Sequence, residues 1–198
     1  MIRYLVLIKG KRVYIFMKKV EQNFNFINME HDVMKFWEDE KCFQELLEKN
    51  KNGKKFRFLD GPITANNPMG IHHAWGRTLK DIYIRYKGMN GYTSHYRNGF
   101  DGQGLWIEVE VEKELGFNDK KDIEKYGLEN FTKKCLARVD HFSKTITEQS
   151  KRLGQWMDWD NSYYTNTEEN ITAIWHFLKK CDELGMIERS FRPMPWCP

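Results

Sequence analysis

Between residues 55 and 100 the chain sets a short alternating run, a loop of breakers, a long amphipathic stretch and a second β-prone run in that order. "KFRFLDG" (55–61) alternates apolar and polar residues and stops at Gly61-Pro62, which predicts a short strand. "GPITANNPMGIHHAWGR" (61–77) follows, with breakers and small polar residues in its first half and two adjacent histidines in its second. From His72 the pattern turns helical. Leu79, Ile82, Tyr83, Tyr86 and Met89 recur near i, i+3, i+4 and i+7, and the glycines of "KGMNGY" end the run. Strand, helix and strand over this length make a βαβ-like unit, so the fold class expected is α/β with parallel pairing.

The rest is arranged around that unit. "HDVMKFWEDEKCFQELLEKN" (31–50) predicts one helix, with Val33, Phe36, Phe43 and Leu47 near helical spacing and "NKNGKK" as its break. "YTSHYRNGFDGQGLWIEVEVEKELG" (92–116) gives a strand, a glycine-rich turn and a mixed segment whose "EVEVEKE" is expected as solvated surface. Residues 128–153 predict a long helix with Phe131, Cys135, Val139, Phe142, Ile146 and Leu153 on one stripe. A further helix is expected over 167–184, carrying Ile171, Ile174, Trp175, Leu178 and Leu184. These later helices read as a peripheral layer or an insertion. Trp156, Trp159 and Trp196 are expected as packing anchors, and "RSFRPMPWCP" is extended and proline-rich. There is no internal repeat.

Residues 1–28 are expected to stand apart as a leader that is non-native or disordered. "MIRYLVLIKGKRVYIF" is basic and β-prone. It fits either a hairpin turning at "KGKR" or a segment upstream of a true start at Met17 or Met29, and we favour the second. This leader carries six basic residues against Glu21 alone, which accounts for the net charge of +4 over 198 residues. The remainder is slightly acidic, so net charge gives no argument for a nucleic-acid face. Mean hydropathy is −0.73, and the run "YLVLI" is far too short for a membrane span or a signal core. The expected location is the cytoplasm, with no membrane partner. Cys42, Cys135, Cys181 and Cys197 are scattered and read as reduced core thiols, Cys197 partly excepted.

Two constellations carry chemistry. A strand feeding a small-residue loop and a helix start exposes unpaired N–H groups to an anion, so His72 and His73 there could donate to phosphate oxygens. The equal alternative is that the histidines cap the helix. The loop is neither a Walker A motif nor a dinucleotide fingerprint. In "NGFDGQGLWIE" (98–108) Asp101 sits among Gly99, Gly102 and Gly104 at an expected strand end. A carboxylate there could hold an ammonium group, although an Asx turn capping its own backbone is the favoured reading from spacing.

Taken together, "FLDGPITANNPMGIHHAWGRTLKDIYIRYKGMNGY", "NGFDGQGLWIEVEVEKELG", "RLGQWMDWD" and "RPMPWCP" resemble, in order, the N-terminal part of the class I aminoacyl-tRNA synthetases. Among these the isoleucyl enzymes are most similar, and the valyl and leucyl enzymes share the ground plan. The resemblance covers roughly residues 30–198. It implies the first half of a Rossmann-type catalytic domain over 29–192, with additional peripheral helices and the start of an inserted editing domain at 193–198. It further implies ATP-dependent activation of isoleucine to the adenylate and transfer to tRNA-Ile, with Mg2+ accompanying ATP. A valyl or leucyl synthetase fragment, or a non-catalytic nucleotide- or tRNA-binding module, is the alternative.

The fragment alone is expected to be inactive, and the full-length enzyme is expected as a monomer. The resemblance places ATP at Asn66, Asn67, Gly70, His72 and His73, with the two histidines catalytic. It places the amino acid at Pro62, Ile63, Thr64 and Asp101. The family's four-residue "HIGH" signature falls on Gly70, Ile71, His72 and His73. His73 matches, whereas Gly70 replaces the first histidine and His72 stands at the glycine position. Gly102 and Gln103 also depart from the usual cysteine and histidine. "PWCP" resembles the start of a zinc knuckle, with Cys197 as its first Zn2+ ligand.

Overall fold

The computed structural model describes residues 2–8, 11–17, 23–58 and 60–195. The chain divides into two compact units, Met1–Cys42 and Phe43–Pro198. In the first, β1 (Ile2–Ile8) and β2 (Lys11–Met17) pair antiparallel from Ile2↔Met17 to Ile8↔Lys11, the hairpin alternative for the leader. Helix α1 (Phe26–Asp39) starts at Asn25, whose Oδ1 accepts from the N–H groups of Ile27 and Asn28.

The single helix expected over 31–50 is two. Helix α1 stops at its C-cap Glu40, and α2 (Cys42–Lys49) starts after Lys41, which takes φ +49°. A left-handed residue cannot continue a right-handed helix.

In the second unit, α2 is followed by β3 (Lys55–Phe56), β4 (Ile63–Thr64), α3 (Ile71–Met89), β5 (Thr93–Ser94) and β6 (Arg97–Asp101). Helices α4 (Leu105–Leu115), α5 (Lys120–Tyr126) and α6 (Leu128–Arg152), strand β7 (Asp158–Tyr164) and α7 (Glu168–Glu183) complete it. Strands β4, β6 and β7 form a parallel sheet in that order, and β3 pairs parallel with β5. Helix α3 is the crossover between parallel strands, as the βαβ reading requires. The strand expected over 55–61 is shorter, and β4 lies instead within the breaker loop. Strand β7 and helix α5 were not expected.

The main core joins Ile63 and Ala65 around β4, Phe100 of β6, Ile107 of α4, and Val139 and Ile146 of α6. Of the expected α6 stripe, Phe131, Val139 and Ile146 are buried, Cys135 and Phe142 are half-buried against the core, and Leu153 is exposed. "EVEVEKE" is helical rather than mixed. Ile107 and Val111, four residues apart, are buried on one face of α4.

Helix α3 differs from expectation. Its apolar residues Leu79, Ile82, Tyr83, Tyr86 and Met89 are exposed, and the packed face is Arg77, Asp81, Ile84 and Gly88. Arg77 donates to Asn98 Oδ1 on β6 at 3.3 Å and to Ser150 Oγ on α6 at 3.2 Å. Asp81 accepts from Arg85 at 2.6 Å and from the backbone N–H of Trp156. Gly88 lets α2 close in, with Leu46 against it and Asn50 Nδ2 donating to its carbonyl at 2.7 Å. Among the described residues no helix is long and apolar enough to cross a membrane.

Candidate active site

The parallel register sets Thr64 beside Asp101, at the carboxyl ends of β4 and β6. In open α/β sheets this edge is where ligands bind. Asp101 Oδ1 accepts from Thr165 Oγ1 at 3.0 Å and from the N–H of Gln103 at 3.2 Å, while among the described residues Oδ2 receives only Thr64 Oγ1 at 3.5 Å. The Asx turn is therefore present, but it uses Oδ1. Oδ2 keeps most of its accepting capacity.

Ile63 is buried in the core against Phe100, and Pro62 and Thr64 are half-buried beside it. Thr165, just past β7, also accepts from the N–H of Gly102. A Cβ at Gly102 would lie 2.3 Å from Asn166 Oδ1, so the carboxamide of Asn166 fills the space that a side chain at 102 would need.

The loop 65–70 is tied down from α6. Arg138 donates to the Asn66 carbonyl at 2.9 Å and to Asn67 Oδ1 at 3.0 Å, and Gln149 Oε1 accepts from the N–H of Met69 at 2.7 Å. Arg138 and Gln149 escaped the sequence reading because they lie some seventy to eighty residues downstream, inside an ordinary amphipathic helix. Gly70 is the N-cap of α3, and its N–H donates to His73 Nδ1 at 3.3 Å. The ring of His72 lies 3.8 Å from that of His73, tilted by 43°.

Burial lowers the pKa of His73 below its ordinary 6.5, with further lowering from His72, Arg77 and Lys80. A neutral imidazole that accepts at Nδ1 carries its proton on Nε2. Among the described residues that proton has no acceptor.

Trp156 packs on Phe43 and under the Arg85 guanidinium, the anchoring role expected. Beyond the glycine turn, Gly102, Gly104, Glu108, Phe131 and Cys135 line a cleft of about 380 Å³. Among the described residues no group of three or more His, Cys, Asp or Glu could hold a metal ion. Trp196 and Cys197 lie outside the described residues.

The family tRNA synthetases class I (I, L, M and V) matches residues 32–198. This chain belongs to that family. Its curated relatives include the isoleucine–tRNA ligase of Dehalococcoides mccartyi, 40% identical over 181 residues, covering 91% of this chain and 18% of that protein. The isoleucine–tRNA ligase of Pyrococcus horikoshii is 43% identical over 171 residues, covering 86% of this chain and 16% of that protein. The chain thus spans less than a fifth of the length of these family members. Among solved structures, a LeuRS of Agrobacterium radiobacter in ternary complex with tRNA and LeuAMS superimposes with a TM-score of 0.60 at 16% identity. It covers 79% of this chain and 17% of the other, and supports the partial Rossmann-type class I fold.

Proposed function

We propose that the chain is the N-terminal part of the catalytic domain of an isoleucine–tRNA ligase. Its site would activate isoleucine with ATP and serve transfer to tRNA-Ile. The observation that carries this reading is about 40% identity over nine-tenths of the chain to proteins of that name. The site geometry agrees with it. Asp101 Oδ2, underused at the end of β6, is suited to the α-ammonium of an amino acid, with Thr64 and Thr165 fixing the carboxylate.

In adenylate formation a carboxylate oxygen of the amino acid attacks the α-phosphorus of ATP and pyrophosphate leaves. Negative charge accumulates on phosphate oxygens, and the N-terminus of α3 together with the Nε2–H of His73 is placed to meet it. Gly70, His72, Asn66 and Asn67 complete the ATP side, the last two held by Arg138. Mg2+ accompanies ATP in such chemistry. The described residues gather no ligand cluster for it, so no step is assigned to it. Zn2+ through Cys197 would belong to the segment beyond these residues.

ATP–pyrophosphate exchange by the full-length protein tests the reading. Isoleucine should support it best. Exchange with valine or leucine but not isoleucine would transfer the assignment to those enzymes, and no exchange with any amino acid would overturn it.

A further inference from the structure

Asp60 stands two residues before Pro62, and its side chain is only 11% exposed. A carboxylate so enclosed persists only with partners, and two elements supply them. Lys80 Nζ on α3 donates to Oδ1 at 2.5 Å. Tyr96, buried between β5 and β6, donates from its hydroxyl to Oδ2 at 2.6 Å. A third element holds the backbone of the same residue: the Tyr163 hydroxyl on β7 donates to the Asp60 carbonyl at 3.4 Å. That contact crosses a strand, because β6 lies between β4 and β7 and pairs Gly99 with Tyr163. A Cβ at Gly99 would lie 2.2 Å from Cε1 of Tyr163. The Tyr163 ring therefore passes over the bare backbone of β6 to reach the residue that leads into β4.

From Asp60 the chain runs through exposed Gly61 and half-buried Pro62 to Ile63, which is anchored in the core. The course of this stretch is thus fixed at both ends, by hydrogen bonds at Asp60 and by packing at Ile63. Helix α3 is secured independently, through Arg77 to β6 and α6. When the bonds to Asp60 are cut, the short stretch shifts and the helix stays.

We propose that Asp60 is a positioning residue for amino-acid binding: held by Lys80, Tyr96 and Tyr163, it sets the course of Pro62, Ile63 and Thr64, and with it the pocket that Thr64 shares with Asp101. This rests on the amino-acid-site reading above. Asp60 acts through that stretch and touches no substrate itself.

The test uses the full-length enzyme with Asp60→Ala, Asp60→Asn, Lys80→Met, Tyr163→Phe, and Asp60→Ala combined with Lys80→Met. ATP–pyrophosphate exchange gives kcat and separate KM values for isoleucine and ATP. The burst of adenylate counts the active enzyme, and thermal unfolding is followed in parallel. Asp60→Ala should raise KM for isoleucine about tenfold or more, the scale of a misplaced binding group, with KM for ATP unchanged. Asp60→Asn keeps an acceptor for Lys80 and for Tyr96, and should restore most of the loss. Lys80→Met and Tyr163→Phe should each raise KM for isoleucine by a smaller factor. The combined variant should be no worse than Asp60→Ala alone, since both changes cut the same tie.

Asp60→Ala strips the buried Tyr96 hydroxyl of its acceptor. Lys80→Met and Tyr163→Phe leave that bond in place, and they carry the test where Asp60→Ala does not fold. An unchanged KM for isoleucine in these two, equal rises in both KM values, or a loss confined to the count of active enzyme would each overturn the proposal. So would an Asp60→Asn enzyme as impaired as Asp60→Ala. An unsubstituted enzyme with no exchange would instead defeat the synthetase reading itself.

Discussion

His73 uses Nδ1 to cap α3, and among the described residues its Nε2 makes no hydrogen bond. The sequence offered cap or ligand as alternatives, but an imidazole with two nitrogens can be both, and only coordinates assign them. The depressed pKa of His73 has a signed consequence. Burial, with His72, Arg77 and Lys80 nearby, makes the folded chain favour the neutral ring, so the stability tied to that neutral form is full above the ordinary value of 6.5 and is lost as pH falls through the lower folded value. Urea unfolding should therefore show stability declining on acidification below about 6.5, and His73→Asn should flatten that decline.

From its place among glycines Asp101 was legible as an Asx-turn carboxylate, which it is, and the family resemblance is what favoured it as a ligand for an amino group. Its Thr165 partner was not legible, being brought in by a strand the sequence did not announce. Asp101→Asn removes the charge while keeping the turn, and should raise KM for the amino acid in pyrophosphate exchange about tenfold to a hundredfold.

Helix α3 shows how an element can be placed correctly and turned wrongly. Its limits agree with the expectation to within a residue, yet the apolar stripe that suggested a buried face is exposed. The face that packs is Arg77, Asp81, Ile84 and Gly88, at helical spacing but mostly polar. Hydrophobic periodicity cannot find a face held by a guanidinium, a carboxylate and a bare backbone. Arg77→Ala would leave the buried Asn98 Oδ1 and Ser150 Oγ without their donor, and should cost about 3 kcal/mol in a urea titration. An equally large effect from Leu79→Ala would contradict the assignment of faces.

Short strands escaped for a related reason. Thr64 and Asp101 are paired by a register linking residues 37 apart, and the sequence "DWDNSYY" of β7 has no alternation to betray it. Lys41 split a predicted helix through a left-handed φ that lysine composition does not advertise.

At the scale of the whole molecule, the order of motifs disclosed the α/β class and the family, while the sheet order β4-β6-β7 depended on pairings the sequence does not display. Much apolar surface stays open: Trp75, Trp106, Trp175 and Phe177 are each more than 60% exposed. Surfaces of this kind promote association. In sedimentation velocity the weight-average mass of this chain should rise with concentration. Trp175→Lys combined with Phe177→Glu should weaken that rise without lowering the melting temperature. A chain that stays monomeric at all concentrations would contradict this.

The cradle of Arg77 bears on how salt experiments with this protein are to be interpreted. Its guanidinium is buried among the neutral acceptors Asn98 and Ser150 and the sulfur of Met157. Mobile ions screen exposed charges over about 10 Å at 0.1 M, but they do not enter such a pocket. Raising the ionic strength should thus weaken the exposed ion pairs of the surface while α3 keeps its place on β6 and α6. A spectroscopic change on adding salt would then report on the exposed charges, with the packing of α3 intact beneath them.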